Sequence, residues 1–342
     1  MVSPSTPSAK GPGGRRFAAP ALPVPARIGW KRPAAAHGTA CFAALGLLVL
    51  ATACGGATEV DSTRDPKPAA RAEADTQDMP TKPSIPPASA APSPTGPSPT
   101  PTSQVERFTG PVEKLAIEVL ASYPHDPTAF TQGLLWHEGE LYESTGLWGR
   151  SSLRRTLPDS GMVVVRHDLE RQFFAEGLAL VDERLIQLTW KAGLALVYDR
   201  ESLVLVDQWG YNGEGWGLAY DGERLIMSDG SPRLTYRSAE DFRWLETVEV
   251  TDSGKPLSKI NELEYVDGKL YANVWGEDRI VRLDPRTGIV EASIKVENLL
   301  TPAESRVVDV LNGIARLPTP GRFLITGKRW PAMFEVEFVP RD

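Results

Sequence analysis

An all-β fold is what this sequence predicts, and three observations predict it. A short segment recurs five times, led by a polar or aromatic residue at Gln132, Glu176, Trp216, Asn261 and Asn312 and followed by Gly or Glu and then Leu or Ile. Successive copies start 44, 40, 45 and 51 residues apart. Self-similarity at roughly 40–50 residues is the length of a four-stranded propeller blade. Within the copies apolar and polar side chains alternate with the strand period of two, and Asp221-Gly222 and Asp267-Gly268 mark tight hairpins. The specific expectation is a five-bladed β-propeller closed by an N-terminal strand and preceded by an export signal and a disordered linker.

The chain opens with the segment least suited to folding. Of its 30 prolines, 18 fall in the first 108 residues, where aromatics are scarce. Such a composition buries too little apolar surface to offset its ordering entropy. Arg27, Lys31 and Arg32 precede an apolar run from about Ala40 to Ala53, followed by Cys54-Gly55-Gly56. A basic region, a short apolar stretch and small residues read as an export signal over residues 1–54. Leu50-Ala51-Thr52-Ala53-Cys54 resembles a bacterial lipoprotein signal with Cys54 lipidated, although Ala51 stands where leucine is usual. Ordinary cleavage after Ala51-Thr52-Ala53 also fits. Residues 55–108 read as a Pro/Ala/Ser/Thr tether, semi-stiff because proline favours extended backbone. The expected location is exported, anchored at a membrane and facing the periplasm or the cell exterior.

Residues 109–342 are left as one folded body. Each repeat reads as four strands. The first is a short run such as Gly217-Leu218-Ala219-Tyr220, and the second follows a tight turn, as in Leu225-Ile226-Met227-Ser228. The third and fourth are clearest in Arg279 to Leu283 and Ile289 to Val296, with Asp284-Pro285-Arg286-Thr287-Gly288 as a turn with a bulge. The last repeat ends at Met333 to Phe338, with too little chain left for a fourth strand. An extra run, Leu115 to Leu120, precedes the first repeat. Pairing that run into the last repeat would close the ring and remove two edges.

Charge and cysteine usage exclude several function classes. Net charge is −7 with both signs interspersed, and no basic block marks a nucleic-acid surface. The only cysteines, Cys41 and Cys54, precede the folded body. His125, His137 and His167 lack metal-binding spacing, so neither a zinc site nor any cofactor is expected.

Strands one and two of a repeat are antiparallel. The leading residues therefore lie at the same end as the residues leaving strand two, namely Glu143, Trp190, Asp229, Trp275 and Lys328. Such a polar and aromatic ring is either a ligand pocket or the packed top of the channel.

Many motifs then occur in order: Phe130-Thr131-Gln132-Gly133-Leu134, Tyr142-Glu143-Ser144-Thr145-Gly146-Leu147, Gln187-Leu188-Thr189-Trp190-Lys191 and Gly213-Glu214-Gly215-Trp216-Gly217-Leu218. Asn261-Glu262-Leu263-Glu264-Tyr265, Tyr271-Ala272-Asn273-Val274-Trp275, Leu311-Asn312-Gly313 and Thr326-Gly327-Lys328-Arg329-Trp330-Pro331 continue the set. Over residues 115–338 the chain resembles the plant and bacterial glutaminyl-peptide cyclotransferases typified by the papaya latex enzyme. The resemblance implies a five-bladed propeller that converts N-terminal glutamine of peptides or proteins to pyroglutamate with release of ammonia; the chain is expected to act as a monomer. By motif, Glu176 corresponds to the acid/base, in Phe174-Ala175-Glu176-Gly177, where Ala175 replaces a common glycine. Phe130, Gln132, Phe174, Trp190, Trp216, Asn261, Trp275 and Lys328 correspond to the pocket.

The chemistry suits these residue types. The α-amine, with a pKa of about 7.7–8.0, is partly free at neutral pH. One carboxylate between the two nitrogens can take a proton from the attacking amine and return one to the departing group. Lys328 and the amides of Gln132 and Asn261 would hold the developing oxyanion. Glu143 is a rival carboxylate, read as structural within the Glu143-Ser144-Thr145-Gly146 turn. Asp229, Glu262 and Glu264 are also read as structural. A cation along the channel stays open. Two other classes remain: a calcium-dependent lactonase-like hydrolase, which chelation would inactivate, and a non-catalytic interaction module on a lipid tether.

Overall fold

The computed structural model describes Phe108 and residues 110–341; the export signal, Cys54 and nearly all of the tether lie outside them. Strand β1 (Glu113–Pro124) comes first. β2 (Thr131–His137), β3 (Glu140–Thr145), β4 (Ser152–Leu157) and β5 (Met162–Asp168) form a four-stranded antiparallel sheet in chain order. β6 (Ala175–Val181), β7 (Arg184–Thr189), β8 (Leu194–Asp199) and β9 (Leu205–Gly210) form a second. A third contains β10 (Leu218–Tyr220), β11 (Arg224–Ser228), β12 (Arg233–Ser238) and β13 (Trp244–Glu249). A small hairpin, β14 (Thr251–Asp252) and β15 (Lys255–Pro256), follows, which the repeat pattern does not announce.

The remaining strands share one larger sheet. Its first half is the meander of β16 (Ile260–Val266), β17 (Lys269–Val274), β18 (Arg279–Asp284) and β19 (Ile289–Lys295). Its second half is β20 (Leu311–Arg316), β21 (Arg322–Gly327) and β22 (Ala332–Pro340), preceded by a 3₁₀ turn at Glu304–Arg306. β1 pairs antiparallel with β22 from Leu115 to Pro124 and parallel with β19 over Glu113 to Ala116. The early run therefore does complete the last repeat, and it is longer than its apolar pattern indicates.

The apolar cores lie between neighbouring meanders. Tyr142 and Leu153 of the first sheet pack with Leu185 and Leu196 of the second, and Ile186 and Leu188 of the second pack with Leu225 and Met227 of the third. Ile226 and Leu234 join Leu270 and Val281, and Ile280 and Ile294 join Ile314 and Ile325. The series returns to its start where Leu324 and Met333 pack on Leu134 and Leu141. The leading strands β2, β6, β10, β16 and β20 likewise touch one another in turn, β20 meeting β2. Alternating side chains make this possible, since each sheet presents an apolar face to both neighbours.

Close approach at the axis explains the glycine after the leading residue. A Cβ on Gly177 would stand 2.5 Å from the Leu218 nitrogen, and one on Gly217 would stand 1.9 Å from the Asn261 carbonyl oxygen. The fourth copy breaks the pattern with Glu262. Its carboxylate accepts the N–H of Leu134 at 3.3 Å and of Ile314 at 2.9 Å, tying β16 to β2 and β20.

Candidate active site

Bulges at the start of the leading strands set out the site. The β2–β3 register passes from Thr131↔Thr145 to Gly133↔Ser144, leaving Gln132 unpaired. Glu176 and Gly177 oppose one residue of β7, Asn261 and Glu262 one residue of β17, and Asn312 and Gly313 one residue of β21. An extra residue re-aims a side chain that strict alternation would send between sheets. In the third sheet Trp216 precedes β10, its N–H donating to the Ser228 carbonyl at 2.9 Å.

The carboxylate of Glu176 sits among these residues with 5% of the residue exposed. Gln132 Nε2 donates to its Oε1 at 2.9 Å, while Asn312 Nδ2 donates to Gln132 Oε1 at 3.2 Å and to the Thr131 carbonyl at 3.0 Å. The Asn261 and Asn312 side-chain oxygens are buried without a hydrogen-bond partner among the described residues. Lys328, directly after β21 and buried, stands 4.9 Å from the centre of the Phe130 ring. Burial holds the Glu176 carboxyl well above the usual range; the Lys328 charge opposes that shift and Glu214 adds to it. Burial also lowers the Lys328 ammonium, against the pull of Glu176 and Asp309. Both shifts favour the neutral forms, as burial does for any charged group.

An aromatic arc surrounds this pair. Phe130 meets Phe174 at 6.1 Å between ring centres, and Phe174 meets Trp190 at 5.5 Å. Trp190 and Trp216 both donate their indole N–H to Glu214 Oε2, at 2.8 and 3.1 Å, and Trp216 meets Trp275 at 6.2 Å. The structure thus brings together Phe130, Gln132, Phe174, Glu176, Trp190, Trp216, Trp275 and Lys328, with Asn261 alongside Gly217. Cys54 lies outside the described residues. Sequence reasoning passed over Glu214 and Trp148. Glu214 sits between two glycines, outside the repeat register; its one signal is its place two residues before Trp216. Trp148 is in a loop, 47% exposed, and meets Phe174 at 5.6 Å.

The rival carboxylates have other partners. Glu143 lies inside β3 and does not bond within the turn expected for it. It accepts Thr131 Oγ1 at 2.7 Å and His125 Nε2 at 3.1 Å and pairs with Arg154. Burial alone would raise its pKa, but Arg154 and His125 hold it well below the usual carboxylate range. Asp229 accepts Ser231 N–H and O–H. Glu264 accepts Arg316 N–H at 2.7 Å and is pushed up by burial to about 8. Among the described residues no group of three His, Cys, Asp or Glu side chains is arranged to hold a metal ion.

Comparison with known proteins follows the same lines. The family model described as glutamine cyclotransferase matches residues 95–338. A curated glutaminyl-peptide cyclotransferase from Arabidopsis thaliana is 38% identical over 226 residues, 65% of this chain and 71% of the plant protein. The crystal structure of Myxococcus xanthus glutaminyl cyclase matches with a TM-score of 0.62 and 38% identity, over 68% of this chain and 100% of that one. With a family match spanning well over half its length, this chain belongs to the glutamine cyclotransferase family.

Proposed function

We propose that this protein is a glutaminyl-peptide cyclotransferase built as a five-bladed β-propeller, with Glu176 as its single proton shuttle and no metal in the chemistry. The observation that carries the reading is one buried carboxyl of raised pKa, hydrogen-bonded to Gln132, beside a buried lysine and inside an aromatic arc. The five-fold ring is supported by the turn-by-turn contacts of the leading strands and by apolar clusters that return from the last meander to the first.

In the proposed reaction the substrate's α-amine attacks its own side-chain amide carbon. A ring C–N bond forms as Glu176 takes a proton from the amine. The carbon–nitrogen bond to the former amide then breaks, and Glu176 returns the proton so that ammonia leaves. Such acid–base work contributes about 10²–10⁴-fold. Lys328 would donate to the carbonyl oxygen as charge develops. Gln132 commits one N–H to holding Glu176, so its share in the oxyanion is smaller than its residue type implies. The unpartnered Asn261 oxygen is an acceptor, which suits a substrate N–H better than the oxyanion. The aromatic arc would exclude water and hold the glutamine side chain in a bent conformer.

We also propose that residues 1–54 export the protein, that Cys54 anchors it by a lipid, and that residues 55–108 hold the domain off the membrane. The test of function is direct. Full-length protein incubated with a Gln-initiated peptide should release one ammonia per peptide and yield a product blocked to N-terminal sequencing. A peptide recovered unchanged would refute the assignment.

A further inference from the structure

Three cations stand on the aromatic walls of the site, and the proposed chemistry uses none of them. Lys191 Nζ lies 4.0 Å from the centre of the Trp190 ring, Lys259 Nζ lies 5.7 Å from that of Trp275, and the Arg329 guanidinium lies 5.8 Å from that of Phe130. All three residues are exposed. Lys191 is offset by Glu214 at 3.7 Å. Lys259 and Arg329 make no ion pair among the described residues.

These two also share a backbone feature. Lys259 has φ 66° and Arg329 φ 62°, in the left-handed region that suits glycine or asparagine. Backbone bonds hold both turns: Lys259 N–H donates to the Gly230 carbonyl, Trp275 N–H donates to the Lys259 carbonyl, and Arg329 N–H donates to the Ala129 carbonyl. Any residue makes those bonds, and asparagine would make them with less strain. Turn geometry therefore does not account for a long cation at both positions. The carboxylates at this end are engaged elsewhere: Glu214 with two indoles and Lys191, Asp229 with Ser231, and Asp309 with the Val310 N–H.

We propose that Lys259 and Arg329 form a carboxylate-recognising rim, so that the preferred Gln-initiated peptides carry a carboxylate within the first few residues after the glutamine. The inference rests on the function proposed above and adds a substrate class to it. With the glutamine side chain at Glu176, the peptide must leave past the aromatic walls. At about 3.3–3.6 Å per extended residue, its second and third residues are the ones that cross them. Stacking on Trp275 and Phe130 restrains the cations before substrate arrives, which lowers the entropy lost on pairing. The carboxylate can be an Asp or Glu side chain or the C-terminus of a short peptide.

The test uses full-length protein and matched peptides beginning Gln-Asp, Gln-Ala and Gln-Lys with amidated C-termini, plus a Gln-Ala tripeptide with a free C-terminus. Both kcat/KM and tryptophan-fluorescence titration are read at low and high salt. Two exposed pairs predict a preference of roughly 3–10-fold for Gln-Asp over Gln-Ala at low salt, shrinking at high salt. In the double variant Lys259→Asn/Arg329→Asn, whose side chains tolerate this backbone, the ratio should fall to near one, whereas Lys259→Arg should keep it. Preference confined to the free C-terminus would assign the same rim to a terminal carboxylate. Acidic preference in binding without turnover of any peptide would refute the cyclase reading and leave the rim standing. Wild-type ratios near one in both readouts for Gln-Asp and for the free C-terminus alike, or a preference unchanged in the double variant, overturn the proposal.

Discussion

Glu176 has three influences on its proton: burial, Lys328 and Glu214. A base must be ionised to accept a proton, and burial raises its pKa. The acid limb of the kcat/KM profile should therefore lie above the usual carboxylate range of about 4.3, with activity rising as pH rises through it. Glu214 adds to the upward shift, so Glu214→Gln should move that limb to lower pH. The same change removes a carboxylate oxygen that accepts two indoles, so emission from Trp190 and Trp216 should shift as well. An acid limb that does not move would contradict the electrostatic role given to Glu214. Glu176 was legible in the sequence because it leads a repeat. Glu214 was not, because its importance lies in two indoles from different repeats meeting at one oxygen, and no local pattern encodes that meeting.

At the scale of elements, the repeats predicted the strands well but not their irregularities. Bulges at Gln132, Glu176, Asn261 and Asn312 decide which side chains reach the site, and alternation alone sends some of them elsewhere. The hairpin of β14 and β15 and the chain-crossing Glu262 were equally hidden, since both depend on neighbours distant in sequence. Glu143 shows the same limit. It was read as structural, yet its partners lie outside its own turn. Arg154 sits on the neighbouring strand, and His125 donates Nδ1–H to the Trp330 carbonyl at 2.7 Å, linking β3 to the turn after β21. Glu143→Gln would leave His125 buried without its counter-charge and Arg154 with only the partly exposed Asp126, and should cost roughly 3–5 kcal/mol in denaturant unfolding. Glu143 raises the His125 pKa against its burial. The stabilisation tied to that proton is full below about 6.5 and lost as pH rises through the raised value. The penalty should therefore be larger at pH 6 than at pH 9, and a loss below about 1 kcal/mol at both would rule the network out as a major stabiliser.

For the whole molecule, the period of the repeats was the most legible feature, because each copy must bury two apolar faces and repeats the same solution. Completion of the last repeat by β1 was also legible, from a missing fourth strand at one end and a spare one at the other. The proposed ring matters to function because it makes one end of the leading strands converge. Residues that begin separate repeats, from Gln132 to Asn312, become neighbours there. The measurement that bears most directly on this convergence compares wild-type protein with Glu176→Gln in ammonia release from a Gln-initiated peptide. The fold of each is monitored by circular dichroism. The expected result is an unchanged fold and a turnover lower by about 10²–10⁴-fold. A folded Glu176→Gln protein that turns over at near the wild-type rate would contradict the placement of the proton shuttle on Glu176.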